Sequence, residues 1–110
     1  MNLNEYQNLA SRTMNLELTM YETELHALHG LSAEVGEIHG LYQKVFQGHK
    51  MDKDHLLSEI GDSLWFLAEL CTANGFELEA VAQHNIDKLK KRFPEGFETE
   101  KSLHRKEGDI

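Results

Sequence analysis

The chain has 110 residues, which suits one domain with a modest core. Its 40% apolar and 27% charged residues are those of a globular protein and not of a disordered one. A net charge of -8 excludes non-specific binding to DNA or RNA, which needs broad positive charge, so an anionic ligand requires bound metal or a local cluster of Lys and Arg.

The first helix is expected over Leu3 to Thr13. Met14 to Tyr21 reads as a connection. A second helix is expected from Glu22 to Phe46, because Leu28, Leu31, Val35, Ile38, Tyr42 and Val45 recur at three- and four-residue steps and build one apolar stripe. Gly48 ends it. The third helix starts near Asp52 or Asp54, either of which can cap it, and runs to Ala73, where Asn74-Gly75 stops it. Leu56, Leu57, Ile60, Leu64, Leu67 and Cys71 form its main stripe, widened by Phe66 and Leu70. A fourth helix runs from Glu77 to Arg92, bounded by the residue before Pro94. Residues 98 to 110 read as a polar tail, mobile or laid across a neighbour. No period-two alternation marks a strand. The longest apolar run, Leu64 to Ala68, is too short to cross a membrane. Met1 to Glu5 lacks the basic start of a signal peptide, and the lone Cys71 cannot form an intrachain disulfide. The reading is a soluble cytoplasmic protein.

Two acidic pairs stand out, Glu34-Val35-Gly36-Glu37 on the second helix and Glu59-Ile60-Gly61-Asp62 on the third. Residues three apart on a helix lie roughly 5–6 Å from one another at Cβ, so each pair can converge on one cation. At about 100° per residue, Glu34 falls between Ile38 and Leu41, inside the apolar arc, and Glu59 and Asp62 straddle Phe66. A carboxylate among apolar groups is costly unless something neutralises it. The alternative is two ordinary solvated acidic faces. A divalent cation resolves the mutual repulsion, and magnesium, held by few carboxylates plus substrate phosphates, suits a triphosphate. Gly36 and Gly61 cost about 1 kcal/mol each relative to alanine within a helix, which suggests close backbone approach there or loose packing.

Lys88, Lys90, Lys91 and Arg92 cluster at the end of the fourth helix. Cations there favour the helix dipole. Asn85, Lys88 and Arg92 also share one face, where lysine supplies a point charge and arginine a fork of donors for phosphate.

Glu34-x-x-Glu37, 21 intervening residues, then Glu59-x-x-Asp62 resembles the acidic signature of MazG-like pyrophosphohydrolases. Glu59 to Ala68 is similar to the family's second acidic helix, and Asn85 to Phe97 resembles the segment that closes its core. The resemblance covers Leu28 to Phe97. It implies an all-α bundle of four to five helices in residues 1–97, assembling as a homodimer or homotetramer. It implies hydrolysis of a nucleoside triphosphate between the α and β phosphates to monophosphate and pyrophosphate. By match to the motif, Glu34, Glu37, Glu59 and Asp62 become the catalytic carboxylates and magnesium ligands, with manganese as a substitute. Asn85, Lys88 and Arg92 become substrate contacts. Lys44 lies where relatives often carry a basic residue. Beyond Phe97 the match is loose, and Arg105 has no assigned role.

Other classes fit less well. A di-iron bundle needs Glu-x-x-His on two helices, and here the fourth positions are Glu37 and Asp62. Seven histidines invite a zinc site, but His26, His29 and His55 do not supply matched converging ligands and read as surface or packing residues. Trp65 and Phe66 read as base-stacking or as core residues. A non-catalytic helical module that binds a partner or senses a nucleotide is the remaining alternative.

Overall fold

The computed structural model describes residues 1–110 and is all-α, with helices α1 (Leu3–Ser11), α2 (Met20–Phe46), α3 (Lys53–Ala73), α4 (Leu78–Arg92) and α5 (Thr99–Leu103). No strand forms, and only an isolated bridge joins Pro94 and Gly96. No helix is long and apolar enough to cross a membrane.

Local chemistry sets the helix ends. Helix α1 stops at Ser11 rather than Thr13, because its last turn tightens: Thr13 N and Thr13 Oγ1 both donate to the Ala10 carbonyl. Helix α2 begins two residues earlier than its apolar stripe suggests. Thr19 caps it, accepting from Glu22 N at 3.1 Å, while the Glu22 carboxylate accepts from Thr19 N at 2.9 Å. This reciprocal box satisfies two otherwise orphaned donors. Asp52, not Asp54, caps α3 by accepting from His55 N. Gly48 and Gly75 end α2 and α3 at φ 95° and 71°, values that a side chain rarely tolerates. His49 N then returns to the Lys44 carbonyl and Phe76 N to that of Cys71.

The chain forms two compact units, Met1–Leu78 and Glu79–Ile110. In the first, α2 and α3 form an antiparallel hairpin, shown by the cross-links His26 to Glu69 and His55–Glu59 against Glu34. Phe66 on α3 fixes the register, its ring filling the space where a Cβ on Gly30 of α2 would stand. The close approach expected at Gly36 and Gly61 is absent, since a Cβ on either meets nothing within 4 Å. Helix α1 packs antiparallel on the far part of α3. Gln7 donates to Thr72 Oγ1 and to the Phe76 carbonyl and accepts from Leu78 N, and Trp65 Nε1 donates to the Ala10 carbonyl and Thr13 Oγ1. Leu3, Tyr6, Ala10 and Leu64 close over Ala68, Cys71 and Leu78. Trp65 and Phe66 both take part in packing, Trp65 through Ala10 and Thr13 and Phe66 against Gly30.

The apolar stripes divide in two. Ala27, Leu31, Ile38 and Leu41 turn towards the chain, whereas Leu28, Val35, Tyr42 and Val45 of α2 and Leu57, Ile60 and Leu67 of α3 stand exposed. Ile60 is 55% and Leu57 72% accessible. An isolated chain leaves both rows wet.

In the second unit the rest of α4 is followed by a turn at Gly96 and by α5. Phe93 and Phe97 pack with their ring planes tilted by 46° and centroids 5.2 Å apart. Residues 98–110 are folded here: α5 occupies part of them, and Asp109 returns to Arg92.

Candidate metal centre and basic cavity

The register of the α2/α3 hairpin brings the two acidic motifs together. One carboxylate oxygen from each of Glu34, Glu59 and Asp62 lies within 4.8 Å of the other two. Glu59 is buried and Asp62 exposed, so the group opens to solvent on one side. Glu37 is not part of this triad, but its carboxyl lies close enough to Glu59 to share a proton with it, as does that of Glu34. His55, one turn before Glu59, holds Glu59 Oε1 at 3.0 Å through Nε2. Glu34 Oε2 and Glu59 Oε2 are buried with no hydrogen-bond partner.

These contacts govern protonation. Sharing a proton with Glu59, then burial, then the charges of Glu59, Glu37 and Asp62 push Glu34 up to about 7. Glu37 rises for the same first reason. Glu59 is held below the usual range because Glu34 and Glu37 donate to it, assisted by His55. Without a cation the cluster thus relieves its repulsion by keeping a proton. The donor set fits a hard divalent cation: several carboxylate oxygens converge, two lack partners, and one side is open to water.

The sequence profile of the MazG nucleotide pyrophosphohydrolase domain matches residues 22–97. The chain belongs to the MazG family. It is also 32% identical over 72 residues to the gene 37 protein of Mycobacterium phage L5, a stretch covering 61% of this chain and 63% of that protein. The chain therefore spans somewhat under two thirds of that relative. No solved structure matches.

The other site residues expected of a MazG protein are placed as follows. Lys44 is exposed in the last turn of α2, outside the acidic group. Asn85 is exposed on α4. Lys88 and Arg92 line a cavity of about 580 Å³ in the second unit, together with residues of α5 and the segment after it. Arg92 is already engaged. Its Nε donates to Asp109 Oδ2 and its Nη2 to Oδ1, both at 2.8 Å.

The contacts of four residues escaped the sequence reading. His55 was visible four before Glu59, and its spacing alone signals the contact. The pair of His26 and the buried Glu69 spans 43 positions and has no local signal. Nor does Asp109, which reaches Arg92 across 17 positions.

Proposed function

We propose that this MazG protein hydrolyses a ribo- or deoxynucleoside triphosphate between the α and β phosphates, releasing the monophosphate and pyrophosphate. Glu34, Glu37, Glu59 and Asp62 hold magnesium, for which manganese substitutes. The observation that carries this reading is the convergence of Glu34, Glu59 and Asp62 with two carboxylate oxygens left unpartnered. Bound magnesium would neutralise phosphate oxygens and lower the pKa of a water. Glu59, fixed by His55, serves as an anchored ligand. Glu34 or Glu37 orients or deprotonates the attacking water. Asn85, Lys88, Arg92 and Lys44 supply contacts to the phosphates or the nucleoside.

The exposed rows on α2 and α3 support assembly as a homodimer or homotetramer. Sedimentation at the 12.6 kDa of one chain would remove that part of the proposal. The proposed setting is the cytoplasm, whose reducing conditions suit the buried Cys71 thiol.

The deciding experiment incubates the protein with magnesium and each common or damaged nucleoside triphosphate and separates the products by ion exchange. Monophosphate plus pyrophosphate is expected from a subset. Diphosphate plus phosphate would overturn the bond assignment, and no product from any nucleotide would favour a non-catalytic module. Metal affinity should also depend on pH. Glu34 keeps its proton up to about 7 in the metal-free protein, and a cation must displace it. The affinity for manganese, followed by its electron paramagnetic resonance, should rise with pH to that point and level off above it. For one displaced proton the slope is about tenfold per pH unit on the acid side. A flat profile between about pH 5.5 and 8 would contradict a site containing Glu34.

A further inference from the structure

The cavity of the second unit is strongly basic in an otherwise acidic chain. Lys88, Lys91 and Arg92 of α4 face Lys101 of α5 and Arg105 and Lys106 beyond it, six cations against the side-chain carboxylates of Asp87, Glu107 and Asp109. Asp87 is partly satisfied by Gln83 Nε2 at 3.0 Å. The cavity volume of about 580 Å³ falls in the roughly 300–1,000 Å³ range of small-molecule sites. Cations brought together at this density repel unless an anion lies between them. Of the three carboxylates, Asp109 is the one gripped by both arms of the Arg92 fork. Both partners are largely buried, with side-chain exposures of 10% and 16%. Arg92, Arg105 and Lys88 all hold the Asp109 carboxyl below its usual range, the Arg92 bonds most strongly. A planar two-oxygen acceptor in an arginine fork has the same geometry as two oxygens of a phosphate.

We propose that this cavity is a site for a polyphosphate anion and that Asp109 occupies it as an internal stand-in, so that the ligand enters only when the Asp109 carboxylate leaves Arg92. Lys101, Arg105 and Lys106 are then ligand-binding residues, and Asp109 is an autoinhibitory contact. The inference rests on the proposed function for phosphate contacts at Lys88 and Arg92 and for the source of the anion, either the phosphate chain of a nucleotide or released pyrophosphate, and adds to it Asp109 as the occupant and Lys101, Arg105 and Lys106 as further contacts. Apparent affinity falls by the fraction of molecules in which the arginine is free. If Asp109 is released in about one molecule in ten, removing it tightens binding about tenfold.

The test is calorimetric titration of the full chain with inorganic pyrophosphate, without divalent cations and in the Glu59→Gln background. Hydrolysis and the metal site then play no part, and failure of the proposed function leaves the result readable. Asp109→Asn should tighten pyrophosphate binding about tenfold. Arg92→Gln, and separately the triple change Lys101→Gln, Arg105→Gln, Lys106→Gln, should weaken it by at least as much. In the unsubstituted chain, saturating pyrophosphate should shift the Nε–H resonance of Arg92, one of three arginines, which reads displacement without altering the fold. A nucleoside triphosphate binding as tightly as pyrophosphate identifies the substrate chain as the source, and a preference for pyrophosphate identifies the product. Unchanged or weaker binding in Asp109→Asn, or an Arg92 resonance that does not move, would overturn the proposal and leave Asp109 as a strut.

Discussion

Glu59→Gln and Asp62→Asn should each abolish magnesium-dependent nucleotide hydrolysis while leaving the helical fold intact. Each substitution keeps the side-chain shape and removes one charge from the group that includes Glu34 and Glu37. Loss of a partner one shell away from a metal costs about 10–100-fold, so loss of a ligand should cost at least about 100-fold. Stability should move the other way. Glu34 is raised to about 7 from 4.5 in the fold, so folding takes up a proton between those values. Metal-free stability therefore falls as pH rises through that window, and the full penalty is present above it. Glu59 is the first cause of the shift, and Gln at that position relieves the penalty. Metal-free Glu59→Gln should therefore melt no lower than the parent chain at about pH 8. Circular dichroism and product chromatography on the same samples separate the two effects. Most activity retained in both variants would refute the metal assignment.

How far the sequence could be read follows from the range of each interaction. Acidic residues three apart on a helix must share a face, so each pair was visible from spacing alone. That the pairs meet depends on hairpin register. Phe66 against Gly30 sets that register, and it is a contact between helices that no local pattern encodes. Apolar periodicity identified the helices but not which half of each stripe is covered. Leu28, Val35 and Tyr42 repeat as regularly as Leu31 and Ile38, yet only the latter turn inward. The start of α2 was readable: Thr19 and Glu22 carry the spacing of a capping box, and an apolar stripe beginning later hid it. The fold of residues 98–110 was not readable, because their closure depends on Arg92–Asp109 rather than on apolar spacing.

His26→Ala should destabilise the first unit far more than its position suggests. His26 is half exposed, and an exposed histidine is ordinarily replaced at little cost. Its Nδ1, however, is the hydrogen-bond partner of both oxygens of Glu69, at 2.8 and 3.0 Å. The Glu69 side chain is only 1% exposed. The imidazole also packs edge-on to Trp65 and against Phe66, the residues that tie α3 to α1 and α2. Removing it leaves the buried Glu69 carboxyl without its hydrogen-bond partner, a loss of about 1–3 kcal/mol. Glu69→Leu is the opposite case. It replaces the buried carboxyl with an apolar group of similar bulk, while the freed histidine, 49% exposed, turns to solvent. Replacing a buried hydrogen-bonded group with an apolar one of the same shape is often nearly neutral when its partner can turn to water. The two halves of one pair should therefore give unequal losses in urea denaturation, large for His26→Ala and small for Glu69→Leu. The double variant should recover most of the loss caused by His26→Ala. Equal losses from the two single changes would show that Glu69 is held by packing and not by its histidine.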